Sequence, residues 1–381
     1  MKIGIVLPYN ITLGGGVKEH VLAQRNELVK RGHDVVIITA QPRETYEPDG
    51  HKVIFLGAAT EFKSPLGTSS QVSASMLTDE IDSMLEHEQF EVLHFHEPWV
   101  PVLSRQILSR SKTVNVATFH AKLPETMLSR TMAKVITPYT KPLLRHIDAF
   151  TAVSEAAAEY LLSLADVPVE IIPNGIVLKR FLKPAGMQRP KGQPKTILFV
   201  GRLENRKGVT YLLDAFAQLQ VREPDVHLVI AGDGPDREKL ELQVEELGLK
   251  HVTFMGFVEE DVKREWLHKA DLFCSPALYG ESFGIVLLEA MAGSLVTVAG
   301  DNPGYESVMQ GLGKLSLIDP KDTSTFSHRL QLMLFDEDLR KLWLKWANDY
   351  VRQFDYPKIV DRYEAVYEAA VAQGAKHARL R

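Results

Sequence analysis

The apolar segment Ile3-Gly4-Ile5-Val6-Leu7, which Pro8 follows, lies at the start of the chain, and a similar segment, Thr196-Ile197-Leu198-Phe199-Val200-Gly201, opens its second half. Short apolar runs rich in β-branched residues are typical of strands that are buried on both faces of a parallel sheet. Each segment begins a series in which such runs alternate with helix-length patterns. The repetition predicts an α/β protein with two Rossmann-like units, one after the other.

The other predicted strands are equally short and apolar. In the first unit they are Val35–Thr39, Val53–Leu56, Val92–His96, Val114–Phe119, Ala149–Val153 and Glu170–Ile172. In the second they are His227–Ala231, Val252–Gly256, Leu272–Ser275, Val296–Ala299 and Leu315–Ile318. Helices are predicted at Val17–Arg31 and Thr78–Glu88, with a last amphipathic helix over Ile359–Ala372. We expect one domain of residues 1–174 plus 357–381 and another of residues 175–356.

Size and composition exclude several classes of protein. A chain of 381 residues with 45% hydrophobic and 24% charged residues is ordinary for a soluble two-domain protein. The net charge of −5 disfavours a dedicated nucleic-acid binder. The single cysteine, Cys274, cannot form an intramolecular disulfide and is expected to be a buried small hydrophobe. The chain has no transmembrane-length apolar run, so we expect a cytoplasmic protein.

The segment Gly280-Glu281-Ser282-Phe283-Gly284, followed by the apolar run Ile285–Leu288 and Glu289, carries the strongest functional signal. A turn rich in glycine precedes a helical pattern, and the free N–H groups at a helix start attract anions such as phosphates. Glu289 lies within the apolar run, so its carboxylate is expected to point at a ligand or partner. Carboxylates beside an anion site indicate an enzyme that binds sugars and phosphates.

Two glycine-containing loops follow predicted strands. Gly14-Gly15-Gly16-Val17 permits a close approach of the backbone to a ligand, although a plain tight turn explains it too. It is not the Gly-x-Gly-x-x-Gly fingerprint of dinucleotide sites. In the second unit, Arg202 and Lys207 of Gly201–Gly208 can neutralise a diphosphate leaving group, and the alternative is a solvated basic loop. Both loops lie where open α/β sheets bind ligands.

Three histidines lie within or directly after predicted strands. His120 follows Val116-Ala117-Thr118-Phe119, and a lone histidine at a strand end is more often structural than catalytic. His94 and His96 lie on one face of a strand and suggest a metal, but no cysteine is nearby and Glu97 faces the other side. We therefore expect no metal and no other cofactor.

Together these segments resemble the retaining nucleotide-sugar glycosyltransferases of family four, which have the two-domain GT-B fold. The resemblance spans nearly the whole chain, and it implies two Rossmann-like domains whose parallel sheets face each other across a deep cleft. Its motifs are Gly14–Val17 with His20, Thr118–His120, Pro173–Gly175, Gly201-Arg202 with Lys207-Gly208, Gly232–Pro235, and Glu281 with Glu289. Pro8-Tyr9, His94–Pro98 and Gly280–Leu288 are most similar to the phosphatidylinositol mannosyltransferase subgroup.

The resemblance implies a role for each matching residue. The leaving diphosphate would be held by Gly15, Gly16, Arg202 and Lys207. The transferred sugar would be held by Glu281 and the N–H groups of Phe283, Gly284 and Ile285, with His120 on a sugar hydroxyl. Ser282 would be a further donor-binding residue. Val258 and Lys263 match positions that meet guanine, and Glu289 would bind the ribose. Tyr9, Lys18 and Glu97 would lie on the acceptor side.

Departures from the subgroup concern the acceptor. The subgroup has a basic membrane-binding helix, whereas Glu61–Gln89 here has six acids against one lysine. An anionic membrane would repel that face. The segment Ala121–Ile147 carries five Lys or Arg against one Glu and could touch lipid instead, or it could be an ordinary helix pair. Lys18 replaces an expected glutamine. The acceptor therefore stays open between lipid and glycan, and the oligomeric state is not predicted.

The sequence thus indicates a metal-independent retaining hexosyltransferase, with mannose from GDP-mannose as the expected donor. Alternatives are a UDP-sugar-dependent transferase with a soluble or glycan acceptor, and a nucleotide-sugar epimerase or phosphorylase on the same framework. A non-catalytic nucleotide-sugar-binding protein is a third alternative. An NAD-dependent oxidoreductase is a distant fourth. We expect a cytoplasmic enzyme, with peripheral contact at the inner face of the cell membrane as one possibility.

Overall fold

The computed structural model describes residues 1–12, 15–42, 50–63, 69–74, 78–100, 102–121, 137–184, 186–187 and 192–379, with side chains outside 58–78 and 375–379. The chain divides into two compact units, Met1–Gly175 with Tyr356–Arg381, and Ile176–Asp355. Each division lies one residue from the boundaries expected at 174 and 357.

The first unit is built on an eight-stranded sheet in the order β4-β3-β2-β1-β5-β6-β7-β8. Its strands are β1 Lys2–Leu7, β2 Asp34–Gln41, β3 Val53–Lys63, β4 Ser69–Ala74, β5 Val92–His96, β6 Val114–Phe119, β7 Ala149–Ala152 and β8 Val169–Ile171. Every neighbouring pair is parallel except β3 with β4, which is antiparallel. The predicted parallel sheet is confirmed, whereas the antiparallel edge strand was not predicted.

Helices cover this sheet and complete its core. They span Gly16–Lys30, Thr78–Glu88, Leu103–Leu108, Glu155–Leu164 and Tyr356–Arg379. Tyr363 and Tyr367 of the last helix are fully buried with Ile3 and Ile5 of β1, so the end of the chain belongs to the first unit. This helix begins earlier than predicted because Pro357 sits in its first turn, where a backbone N–H has no helical partner anyway.

The second unit has a six-stranded, wholly parallel sheet in the order β11-β10-β9-β12-β13-β14. The strands are β9 Thr196–Val200, β10 His227–Ala231, β11 Val252–Gly256, β12 Leu272–Ser275, β13 Val296–Gly300 and β14 Leu317–Ile318. The helices span Leu178–Phe181, Val209–Arg222, Arg237–Glu246, Glu260–Lys269, Ile285–Ala292, Pro303–Val308, Thr323–Phe335 and Glu337–Tyr350.

Two details of the second unit bear on the sequence predictions. Strand β14 is shorter than expected because Gly311–Ser316 forms a 3-10 helix before it. Cys274 is fully buried in β12, as predicted for a small hydrophobe. Among the residues that the structure describes, no helix is long and apolar enough to cross a membrane.

Candidate functional site

The loop after β9 brings a lysine to the carboxyl end of the second sheet. It runs through Asn205–Lys207, a single 3-10 turn, to Gly208, which starts the helix Val209–Arg222. Gly208 has φ 71°, and a Cβ on it would lie 2.1 Å from the carbonyl oxygen of Pro276. Only glycine meets both conditions, so it fixes Lys207 against the segment that follows β12.

The turn that carries Glu281 is held by two further glycines. A Cβ on Gly304 would lie 2.0 Å from the carbonyl oxygen of Glu281, so the helix Pro303–Val308 packs directly against the turn. Gly284 has φ 110°, and a Cβ there would lie 2.7 Å from the ring of Tyr305. Tyr305 is in turn anchored to β12 by a 2.7 Å hydrogen bond with Ser275. The position of Glu281 is therefore determined by close backbone packing.

Glu281 is the centre of a cluster of charges. Its Oε1 accepts hydrogen bonds from Lys207 Nζ and from Arg206 Nη1, each at 2.7 Å. Arg206 also pairs with Glu204 at 2.6 Å. The side chains of Lys207 and Glu281 are only 15% and 13% exposed, so solvent screens this pair less than a surface pair. Two cations and a carboxylate thus converge at one end of the sheet.

The helix Ile285–Ala292 begins beside this cluster. Within residues 192–379, which are described without a gap, no backbone hydrogen bond uses the N–H groups of Phe283, Gly284 or Ile285. These are the donors that a helix start leaves unpaired, and the positive end of the helix dipole lies with them. The arrangement therefore offers N–H groups and two cations to an anion.

Glu289, in the second turn of the same helix, has a cationic partner of its own. Lys263 Nζ lies 3.0 Å from the Glu289 carboxylate and 2.9 Å from Glu260 Oε2. Burial by itself would lower the pKa of Lys263, but the charges and hydrogen bonds of Glu289 and Glu260 outweigh it and raise that pKa. Lys263 is accordingly held as an ammonium, with Glu289 12% exposed beside it.

The remaining donor-side predictions lie around these clusters. Arg202 is exposed, and Glu281 is paired with Arg206 and Lys207 rather than with Arg202. Ser282, Ile285 and Val258 are partly exposed, whereas Phe283 is buried. The roles of all these residues stay predictions.

The first unit brings together four histidines from the helix Gly16–Lys30, from β5 and from the residue after β6. His20, His94 and His96 are fully buried, and His120 is 7% exposed. His96 Nδ1 lies 2.8 Å from His120 Nε2. Burial lowers the pKa of His20 and of His94 to about 3, and for His94 the neighbouring His20 adds to the effect. This histidine cluster (His20, His94, His96 and His120) is therefore uncharged near neutral pH.

His94 is accounted for by a chain of hydrogen bonds. Gln24 Nε2 donates to Tyr367 Oη at 3.0 Å, and the Tyr367 hydroxyl lies 2.7 Å from His94 Nδ1. On its other side, His94 Nε2 lies 2.6 Å from Thr118 Oγ1. Thr118 continues to Thr151 at 2.6 Å. His94 thus ties the last helix to β6, which is a structural role.

His20, His96 and His120 have ligand-capable nitrogens within 4.8 Å of one another, which could hold a metal ion. However, His96 Nδ1 and His120 Nε2 face each other at 2.8 Å, with room for one proton between them. A metal would have to replace that proton and push the two rings apart. The prediction that no metal is needed is not tested by this arrangement.

Glu97 follows β5 and has φ 52°, a strained backbone for a residue other than glycine. Its Oε1 accepts the His120 N–H at 2.6 Å, while Oε2 is buried with no hydrogen-bond partner in the described part of the chain. Burial raises the pKa of Glu97 to about 8. Burial also raises the pKa of Tyr9, and the charge of Glu97 adds to that shift. Of the predicted acceptor-side residues, Glu97 is therefore fully buried and Tyr9, which feels its charge, is partly buried.

Other predicted features of the first unit are placed less fully. Gly15 and Gly16 are exposed at the start of the helix Gly16–Lys30, and Lys18 is partly exposed in its first turn. Gly14 lies outside the described residues. So does most of the cationic segment Ala121–Ile147, and the side chains of much of the acidic segment Glu61–Gln89 are likewise not described.

Sequence reasoning missed two participants. Arg206 was not singled out within the loop Gly201–Gly208, although the Asn205–Lys207 turn places it on Glu281, and the role of Arg202 stays a prediction. Asn174 was noted only as part of a motif, yet its side chain interacts with His120. For Arg206, the available sequence signal was the basic pair Arg206-Lys207 before Gly208. For Asn174, no sequence signal existed beyond the Pro173–Gly175 motif.

Comparison with known proteins bears on both units. A sequence model described as "Glycosyltransferase Family 4" matches residues 14–180, and one described as "Glycosyl transferases group 1" matches residues 187–348. The chain is 32% identical over 383 residues to a phosphatidyl-myo-inositol mannosyltransferase of Mycobacterium tuberculosis, covering 99% of each chain. The chain belongs to glycosyltransferase family 4. The family-4 chain is also 28% identical to the phosphatidyl-myo-inositol mannosyltransferase of Propionibacterium freudenreichii, over the whole of both proteins.

Solved structures agree on the fold of this family-4 glycosyltransferase. Sucrose-phosphate synthase of Thermosynechococcus elongatus has a TM-score of 0.76 at 20% identity and covers 98% of this chain. HepE of Anabaena, solved with UDP-glucose, has a TM-score of 0.75 at 18% identity over 97% of this chain. At sequence identities of 18–20%, these similarities show a shared fold and nothing further. They confirm the predicted GT-B class with its two Rossmann-like domains.

Proposed function

We propose that this family-4 glycosyltransferase transfers mannose from GDP-mannose to a hydroxyl of a lipid or glycan acceptor, with retention at the anomeric carbon. The similarity to phosphatidyl-myo-inositol mannosyltransferases, at 32% identity over the full length, supports mannose as the sugar. The observation that carries the proposal is the convergence of Lys207 and Arg206 on Glu281 at 2.7 Å, beside a helix start whose N–H groups make no backbone hydrogen bond within residues 192–379.

That convergence suits a nucleotide sugar because it holds both kinds of group that the donor contains. The cations would bind the diphosphate, and the carboxylate of Glu281 would accept hydrogen bonds from sugar hydroxyls. Without a donor, Lys207 and Arg206 are paired with Glu281, and Arg206 is also paired with Glu204, so neither cation remains as an unpaired, partly buried charge. When the donor binds, its diphosphate would pair with the two cations in place of Glu281. The carboxylate oxygens of Glu281 would then be available to accept hydrogen bonds from the sugar.

In the reaction, the bond from the anomeric carbon to the diphosphate oxygen breaks, and a bond to the acceptor oxygen forms on the same face. The acceptor proton passes to the leaving diphosphate. Negative charge grows on the diphosphate in the transition state, where Lys207, Arg206 and the N–H groups near Phe283 would stabilise it. Fixed cations and a helix start supply the charge that a divalent metal supplies in other enzymes. The proposed enzyme therefore works without a metal cofactor.

The other assignments follow from the same family pattern. Lys263 with Val258 would meet the guanine, and Glu289 would bind the ribose hydroxyls. In the first unit, His120 would hydrogen-bond a sugar hydroxyl, and Tyr9, Lys18 and Glu97 would line the acceptor side. We also propose that the enzyme works in the cytoplasm and meets a lipid acceptor at the membrane surface.

The test begins with a thermal-shift screen of GDP-mannose, GDP-glucose, UDP-glucose and UDP-N-acetylglucosamine. We expect GDP-mannose to stabilise the protein most. Transfer is then measured to vesicles that contain phosphatidylinositol, to vesicles of phosphatidylcholine alone, and to soluble glycans, each with and without EDTA. The anomeric configuration of the product is read by NMR. We expect transfer to one acceptor class, retention, and no loss of rate in EDTA.

Three results would overturn the proposal in different ways. Stabilisation by a UDP-sugar alone would exclude GDP-mannose as donor. A product from donor alone, or from donor with orthophosphate, would indicate an epimerase or a phosphorylase. Tight GDP binding with no turnover on any acceptor would indicate a non-catalytic binding protein.

A further inference from the structure

The ring of Phe283 is the apolar anchor of the turn that carries Glu281. The turn begins and ends on a glycine with a positive φ, 76° at Gly280 and 110° at Gly284. Between these two glycines, Phe283 is the one large apolar side chain, and it is only 4% exposed. Because burial of an aromatic ring is strongly favourable, the surroundings of Phe283 determine the orientation of the turn.

Phe354 packs against this anchor. The centroids of the Phe283 and Phe354 rings are 6.0 Å apart and the rings are inclined by 65°, which is the edge-to-face contact that aromatic rings favour. Phe354 is likewise 4% exposed, and it ends the 3-10 turn Val351–Phe354 near the end of the second unit. The ring that supports the turn therefore comes from a distant part of the same unit.

Phe354 is the last member of an aromatic ladder, which consists of Trp343, Trp346, Tyr350 and Phe354. Spacings of three and four residues place the members along one side of the helix Glu337–Tyr350 and of the turn that follows it. Successive ring centroids are 5.5, 4.8 and 5.4 Å apart. At the far end, Trp343 Nε1 donates a 2.9 Å hydrogen bond to Ser316 Oγ. Each ring thus restricts the next one, and the series ends on Phe283.

The backbone at Phe354 is fixed as well. The N–H of Ile176 donates to the Phe354 carbonyl oxygen at 2.8 Å. The N–H of Leu178 donates to Asp355 Oδ1 at 3.2 Å. Since both its ring and its backbone are held, Phe354 forms a rigid support for Phe283.

We propose that Phe354 is a positioning residue, which acts through Phe283 to keep the N–H groups of Phe283, Gly284 and Ile285 aimed at the leaving diphosphate. The inference rests on the function proposed above. Donors stabilise a growing charge most when they are oriented in advance, because no reorganisation is then needed during the reaction. Loss of the Phe354 ring would leave a space beside Phe283, so that the turn could adopt several orientations.

The first test needs no substrate. The N–H of Leu287 donates to the Gly284 carbonyl oxygen at 3.0 Å, so amide hydrogen exchange at Leu287 in the full chain reports on the turn. We expect Phe354→Leu to accelerate this exchange about three- to tenfold, the equivalent of one edge-to-face contact. Phe354→Tyr keeps the ring and should leave the exchange within about twofold of wild type. Phe326→Leu is the matched control, because Phe326 is a fully buried ring of the same unit with no aromatic partner among the described residues.

Transfer rates then test what the orientation of the turn does. Phe354→Leu should lower kcat at saturating donor about three- to tenfold, with an unchanged KM for the acceptor. Phe354→Tyr and Phe326→Leu should keep kcat within about twofold of wild type. Thermal melting identifies any loss of fold. If Phe354→Leu does not fold, Phe354→Met replaces it, since the flexible methionine fills the space without a ring.

Two kinds of result separate this inference from the function on which it rests. Unchanged exchange or unchanged kcat in a folded variant without the ring, or an equal loss in Phe326→Leu, would overturn the role of Phe354. Faster exchange at Leu287 with no turnover on any donor would support Phe354 as the support of the turn and would overturn the proposed function instead.

Discussion

The two units of this protein share a fold but prepare their sites in opposite ways. In the first, the histidine cluster at the ends of β5 and β6 is buried and uncharged, and hydrogen bonds alone orient it. In the second, Glu281 and Glu289 are held by full charges, with Lys207, Arg206 and Lys263 at 2.7–3.0 Å. The uncharged environment of the first unit suits neutral hydroxyl groups, and the charged environment of the second unit suits an anion.

The difference has a physical cause. Burying an isolated charge is costly, so a buried site without counter-charges keeps its imidazoles neutral. A site that must receive a diphosphate needs cations, and those cations need carboxylates nearby when the ligand is absent. We therefore expect substitutions in the second unit to act through charge and substitutions in the first to act through hydrogen bonding and pH.

Lys207→Ala should produce the largest effect. It removes one of the two cations on Glu281, and the transition state would lose a charge-assisted contact to the leaving group. We expect kcat to fall about 10²-fold or more, by analogy with the loss of one oxyanion donor. The measurement is the steady-state transfer rate at saturating donor. If Lys207→Ala and Glu281→Ala both transferred at near-native rates, this site would be wrongly assigned.

Lys269→Ala is the matched control for that loss. Lys269 also pairs with a glutamate, Glu265, in the same unit, but their side chains are 50% and 56% exposed. Exposed pairs contribute about 0–1 kcal/mol, so we expect neither the transfer rate nor the melting temperature to change appreciably. If Lys269→Ala were as slow as Lys207→Ala, the lost activity would reflect the change in net charge of the protein rather than the loss of a contact in the site.

The sequence predicted most of this architecture because it rests on local patterns. The apolar strands of both sheets and the helix that carries Glu289 were recognised from period and turn residues alone. Strand β4, Ser69–Ala74, was missed since its polar sequence, Ser-Ser-Gln-Val-Ser-Ala, has no apolar run, and its pairing with β3 is antiparallel. The Gly311–Ser316 turn that shortens β14 was missed because 3-10 turns have no strong period of their own.

The candidate site was predicted less evenly than the fold. Glu281, Lys207 and Lys263 were identified from motifs, but their ion pairs were not, because partners such as Arg206 and Glu260 come from separate loops and helices. The histidine cluster depends on contacts between His20, strands β5 and β6, and the last helix. His20 and Tyr356 of that helix are 336 residues apart along the chain. Only the folded chain shows that these groups share one buried volume.

Glu289→Gln should have a smaller effect, confined to donor binding. The substitution keeps the shape of the side chain but removes the charge that pairs with Lys263 and would bind the ribose. A hydrogen bond to a charged group contributes about 1.5–3 kcal/mol, so the Kd for GDP should rise about 10- to 100-fold. Isothermal titration measures this change, with Glu265→Gln as the exposed control. An unchanged Kd would remove Glu289 from the nucleotide site.

The smallest expected effect is a change in how stability depends on pH. The pKa of His20 and of His94 is about 3 in the folded protein against an ordinary 6.5. Below pH 6.5 the unfolded chain binds protons that the folded chain does not, so acid should destabilise the protein by up to about 1.4 kcal/mol per pH unit for each histidine. The loss continues until the pH falls through the folded pKa, near 3.

Glu97 should change the stability in the opposite direction to the histidines as the pH falls, so its contribution can be told apart from theirs. Its pKa is about 8 when folded against an ordinary 4.5, so between these values the folded chain holds a proton that the unfolded chain has released. Lowering the pH therefore stabilises the folded protein through Glu97. This gain offsets the destabilisation caused by about one buried histidine. Glu97→Gln removes the offset, and urea unfolding between about pH 6 and 5 should show a loss of stability with falling pH that is steeper by about 1.4 kcal/mol per pH unit. His94→Gln, which removes one buried imidazole, should make the slope shallower by a similar amount. Equal slopes in wild type and Glu97→Gln would mean that Glu97 is ionised when folded, and that the first unit, like the second, does contain a buried charge.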